Sequence, residues 1–125
     1  MIQILFIGAG GFLGAIGRFL ISRFMGNFIS SFPLGTLVVN IAGSFVLGLI
    51  LYSVSFGKDI SPNMRDFLTI GFLGSFTTMS TFAFESFRFA ELSQVALLLL
   101  NLLLNVVLCF IAIYLGKELA LIISK

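Results

Sequence analysis

Ser75, Thr77, Thr78, Ser80 and Thr81 stand within the segment GFLGSFTTMSTF, residues 71–82, and the surrounding run from Phe67 to Phe84 carries no charge. A hydroxyl both donates and accepts hydrogen bonds. Five of them in an apolar run suit the holding or passage of a small polar species. Gly71 and Gly74 loosen the backbone, while Phe76, Met79 and Phe82 fill space among the hydroxyls. A plain membrane anchor has no use for this mixture.

Two further stripes carry polar groups at helical spacing. Thr36, Asn40 and Ser44 recur at i, i+4 and i+8, with Gly43 beside them. Asn101, Asn105 and Cys109 repeat the pattern. Residues so spaced share one helical face. If the two stripes face each other, they form a narrow polar track. The plainer reading is glue between helices, where such bonds average about 0.6 kcal/mol.

The track has amides and hydroxyls at its centre but no lysine, arginine or histidine. Such groups donate to an anion without trapping it, and conduction needs binding weak enough to release the ion. Phenylalanine ring edges are electropositive and can also meet an anion. Hydroxyls and carbonyls suit a cation equally well, so residue types alone leave the sign of the ion open. One small subunit has too few polar residues to enclose a pore, which implies an oligomer.

The elements that must position these groups follow from composition. Of 125 residues, 59% are hydrophobic and 10% charged, with a mean hydropathy of +1.20. A soluble domain carries about 25% charged residues, so lipid is the expected solvent. A net charge of +2 without a basic cluster gives no nucleic-acid site. The absence of histidine removes the usual general base and metal ligand, and lone Cys109 cannot form an internal disulfide.

Continuous apolar runs, each about the 20 residues needed to cross a bilayer, predict one domain of four transmembrane helices at about 2–24, 34–54, 67–89 and 92–117. Short links with Gly26, Pro33, Gly57 and Pro62 join them. The first run lacks a basic leader and is too long for a cleaved signal peptide. Gly10 and Gly14 form a GxxxG pair for close helix packing. The segment Gly74–Thr78 is a candidate helix break, and Glu85 and Arg88 are spaced to neutralise each other. Arg18, near the end of the first span, suits either an interfacial anchor or a vestibule that attracts anions. Lys58, Arg65, Lys117 and Lys125 fall on one side, and Arg18, Arg23 and Arg88 on the other. This near-balance predicts insertion in both orientations.

Three segments carry a family likeness: GGFLGAIGRF (10–19), GTLVVNIAGSF (35–45) and GFLGSFTTMSTF (71–82). Together, in this order, they resemble the signatures of the Fluc (CrcB) fluoride channel family. The resemblance covers essentially the whole chain. It implies an all-α, dual-topology antiparallel dimer with two pores and a third helix broken near its middle. Such a channel lets fluoride leave the bacterial cytoplasm passively, from a multi-pass position in the plasma membrane.

The same likeness assigns residues. Asn40 is implied as the pore asparagine, with Met79 and Phe82 at the two aromatic-box positions and Ser80 and Thr81 on or near the polar track. Asn101 and Asn105 match the polar face of the fourth span, and Arg18 the vestibule. Gly74 and Thr77 are implied to offer backbone carbonyls to a structural sodium ion at the dimer interface. Met79 departs from the family pattern, which has phenylalanine there. A thioether fills space but lacks a ring edge. The departure implies either a homodimer with altered rate or work with a paralogous subunit.

Two rival readings stand beside this one. A small multidrug cation/proton antiporter would need a carboxylate in the first span, which has none. A packing subunit of a larger membrane complex would use its polar stripes only as glue.

Overall fold

The computed structural model describes all 125 residues and is all-helical. Helix α1 spans Ile2–Met25, α2 Leu34–Ser55 and α6 Val95–Ile123. Between α2 and α6 lies a composite third span. It runs through α3 (Pro62–Asp66), a π-helix π1 (Phe67–Leu73), α4 (Gly74–Phe76) and α5 (Met79–Glu91). The four spans contain 24, 22, 30 and 29 residues and are apolar enough to cross a membrane. At 1.5 Å per residue even the shortest covers the roughly 30 Å hydrocarbon core.

Two spans differ from the sequence expectation at both ends. The third span begins at Pro62 and ends at Glu91, instead of 67–89. Pro62 occupies the first helical turn, where a missing N–H costs nothing, and Ser61 Oγ accepts from the Met64 N–H at 3.4 Å. Asp66 is buried and accepts from Gln3 Nε2 of α1, which ties this polar start to the bundle. The fourth helix begins at Val95 and continues past Lys117 to Ile123. The link before it is only Leu92–Gln94, with Ser93 at a φ of 56°.

Glycines set the packing. Helix α1 lies chiefly against π1, and α2 chiefly against α6. A Cβ on Gly14 would run into the Phe72 carbonyl, and one on Gly10 into that of Phe67, so the GxxxG pair makes the expected backbone approach. Gly48 does the same for α2 on α6, where a Cβ would sit 2.7 Å from the Ile113 carbonyl. Only 22 of 125 residues are buried. Large apolar side chains therefore face outward along every span, toward lipid or another subunit.

Candidate functional site

The third span breaks at Thr77–Thr78, inside the expected segment. Thr77 has ψ 158°, and Thr78 is extended at φ −150°, ψ 118°. A break frees the last carbonyls of one helix and the first N–H groups of the next. In lipid these need partners within the protein.

The partners come from three elements. The Thr77 N–H and its hydroxyl both donate to the Leu73 carbonyl, at 3.0 and 2.9 Å. Thr78 Oγ1 caps α5 by accepting from the Thr81 N–H at 3.2 Å, and it donates to Thr81 Oγ1 at 3.0 Å. Ser80 Oγ lies 3.4 Å from the same hydroxyl. Asn40 of α2 supplies the rest. Its Oδ1 accepts from the Thr78 N–H at 2.8 Å, and its Nδ2 donates to the Thr78 carbonyl at 3.2 Å. Gly43, one turn further along α2, allows this approach: a Cβ there would collide with Thr77 Cγ2.

Asn40 also joins the two polar stripes, which face each other as expected. Its Nδ2 donates to Asn105 Oδ1 at 3.0 Å. Asn105 Nδ2 donates to Asn101 Oδ1 at 3.0 Å and to the Asn101 carbonyl at 3.1 Å. Asn101 Nδ2 donates to Ser86 Oγ at 3.0 Å, and Ser86 donates to the Phe82 carbonyl at 2.8 Å.

A cavity of about 350 Å³ opens beside the break, lined among others by Asn40, Gly74, Thr77, Met79, Phe82 and Asn105. Six of the sequence-predicted site residues thus converge. Met79 is 74% exposed, whereas Phe82 is buried. Ser80 and Thr81 lie on the outer surface next to the cavity, and Gly74 is also exposed. Asn101, on the same face of α6 as Asn105, is 0% exposed and sits behind it, outside the cavity lining. Arg18 is half-buried on α1 and outside the cavity lining.

One expected pair does not form. Glu85 Oε1 accepts from the Thr36 hydroxyl of α2 at 2.7 Å, and Arg88 is exposed. Both line a second cavity of about 340 Å³ under the 26–33 link without an ion pair between them. Helical spacing brought Glu85 and Arg88 within reach, but Glu85 turns inward to α2. Ser86 was not among the residues that the sequence singled out. Its signal was its position four residues after Phe82, where a hydroxyl reaches the preceding turn's carbonyl.

A family model described as CrcB-like protein, Camphor Resistance (CrcB), matches residues 5–117. The chain is 50% identical over 121 residues to Fluoride-specific ion channel FluC 1 of Methanosarcina acetivorans, covering 97% of this chain and 92% of the relative. It is 45% identical to FluC 3 of Methanosarcina barkeri, covering 100% of this chain and 95% of the relative. The identity to FluC of Campylobacter lari is 44%, over 90% of this chain and 93% of the relative.

Proposed function

The chain belongs to the CrcB-like family, and on that premise we propose that it is a fluoride-selective membrane channel and not an enzyme. The carrying observation is its similarity, along nearly the whole chain, to relatives named fluoride-specific ion channels. The convergence of Asn40, Phe82 and the hydroxyls of the broken third span on one cavity supports the same reading.

Fluoride passes down its gradient along the face that carries Asn40, Met79, Ser80, Thr81 and Phe82. Hydroxyls and amide N–H groups replace part of its hydration shell, and phenyl edges add weak positive field. No proton or nucleotide drives the passage. The absence of any acidic residue from α1 speaks against the cation/proton antiporter.

A second copy completes the site. Met79, Ser80, Thr81 and Gly74 are exposed on one chain at membrane depth, where bare hydroxyls and backbone are unfavourable against lipid. A partner packed on this face in the opposite orientation would cover them and give two pores per dimer, in line with the near-even Lys/Arg balance. Met79 favours one variant of this reading, in which a paralogous subunit supplies the ring that Met79 lacks. The homodimer is preferred because Asn40 and the 77–81 hydroxyls are present in this chain.

The break also fits a structural sodium ion. Gly74 and Thr77 fall in the last turn before it, where helix-end carbonyls lack intrahelical partners. Carbonyl oxygens suit a hard cation. No cluster of three His, Cys, Asp or Glu residues offers another metal site. Gly74 and Thr77 of two copies would hold the ion, whose charge would offset converging carbonyl dipoles.

Purified protein in liposomes tests the function. Fluoride loaded inside should leave without ATP or a proton gradient, and chloride should barely leave. Equal chloride flux overturns the reading.

A further inference from the structure

We propose that Ser86 and Asn101 are positioning residues of the anion path. They hold the Thr77–Thr78 break and the first turn of α5 in register through a one-way chain of hydrogen bonds. The proposal rests on the channel reading for its consequence, and on the geometry alone for its existence.

The chain runs from backbone to backbone. The Thr78 N–H donates to Asn40, Asn40 to Asn105, Asn105 to Asn101, Asn101 to Ser86, and Ser86 to the Phe82 carbonyl. All donors point the same way. Its two ends lie on one helix: Thr78 is the N-cap of α5 and Phe82 is in its first turn. The path between them crosses α2 and α6 and returns. It braces the turn that carries Met79 and Phe82 against two neighbouring helices.

The direction is fixed by groups that cannot be turned over. Thr78 presents both an N–H and a carbonyl to Asn40, so the Asn40 oxygen must meet the former and its nitrogen the latter. Asn105 must then turn its oxygen to Asn40 and its nitrogen to Asn101. The Asn101 backbone carbonyl demands that same orientation independently. Asn101 is left with its nitrogen toward α5, and Ser86 accepts there and donates its own O–H to the Phe82 carbonyl. A hydroxyl suits the end of the chain, because its single oxygen both accepts and donates. Aligned bonds of this kind polarise and strengthen one another.

Neither Asn101 nor Ser86 lines the cavity. Both are buried, at 0% and 6% exposure. They act on the ion only through Asn40 and the first turn of α5. Loosening that support shifts the groups that face the path, and a site held too loosely loses function even with every contacting residue present.

The test uses the full chain in liposomes, with fluoride efflux, chain assembly and amide exchange measured together. Ser86→Ala and Asn101→Leu each lower initial efflux about tenfold, the consequence of orphaning a buried donor or acceptor. The double variant is no slower than the slower single one, since both remove the same link. Ser86→Thr, which keeps the hydroxyl, retains most of the flux. The Thr78 N–H exchanges faster in Ser86→Ala while α1 amides are unchanged. Multiplying losses in the double variant, or unchanged Thr78 exchange, overturns the proposal. If the variants do not fold, the native protein still decides: the side-chain amides of Asn101 and Asn105 should exchange far more slowly than that of exposed Asn27. Equal rates overturn the chain of bonds. Wild-type liposomes that pass no fluoride overturn the channel reading, and the exchange results then judge the bond chain separately.

Discussion

The side-chain amide of Asn40 holds the backbone of Thr78 at both ends, accepting its N–H at 2.8 Å and donating to its carbonyl at 3.2 Å. It serves Thr78 as a neighbouring strand would, at the one point where the third span is not helical. Asn40 is thus a structural clamp on the break as well as a wall of the cavity.

Asn40→Asp removes the nitrogen that serves both the Thr78 carbonyl and Asn105. Two buried acceptors lose their donor, and each such loss costs about 1–3 kcal/mol. Fluoride efflux should fall at least tenfold, with a lowered thermal midpoint and the dimer still visible by cross-linking. Unchanged efflux would show that the clamp is dispensable.

Phe82 is 6% exposed and Met79 is 74% exposed. Phe82→Ile should therefore cut fluoride flux and also cost about 1–2 kcal/mol of stability through lost packing. Met79→Phe adds a ring where the single chain has open space. It should raise fluoride flux without lowering the thermal midpoint. Flux and melting curves of both variants, compared with wild type, check the pair.

Gly43 tests how tightly α2 approaches the break. A Cβ there would collide with Thr77 Cγ2, a side-chain methyl. Gly43→Ala should destabilise the protein by about 1–3 kcal/mol. Thr77→Ser removes that methyl and keeps the hydroxyl that donates to Leu73. The double variant should recover most of the loss in thermal unfolding, whereas Thr77→Ser combined with Gly14→Ala should recover none.

A Cβ on Gly74 meets nothing nearer than the Thr69 carbonyl at 3.7 Å within one chain. Gly74→Val should therefore leave helix content unchanged by circular dichroism and weaken association between copies. Replacing sodium by a bulky organic cation during purification should weaken association in the same way, and returning sodium should restore it. Full dimerisation of Gly74→Val would place the interface elsewhere.

Much of this protein was legible from local pattern. Hydropathy is a property of each residue, so four membrane-length runs predict four spanning helices without knowledge of their partners. Helical periodicity put Asn40 with Thr36, and Asn101 with Asn105, on common faces. Thr77 and Thr78 lay inside the segment expected to break, because glycine and hydroxyl residues weaken a helix there. The glycine pair at Gly10 and Gly14 announced a close backbone approach, though not the π-helical surface that receives it.

Tertiary structure decided what each polar group meets. Asn40 bonds with residues 38 and 65 positions away, and no local spacing encodes such a pairing. Glu85 and Arg88 share a helix surface, yet Glu85 turns to Thr36, 49 residues distant. Asn101 and Asn105 read alike in sequence, but the packing of α2 on α6 puts Asn105 at the cavity and Asn101 behind it. The amino-acid sequence determined that polar groups would be buried in lipid-facing helices, since their types and spacing are written in it. Only the folded chain could decide their partners, because an amide in an apolar medium must find a donor or acceptor wherever the packing of distant segments provides one.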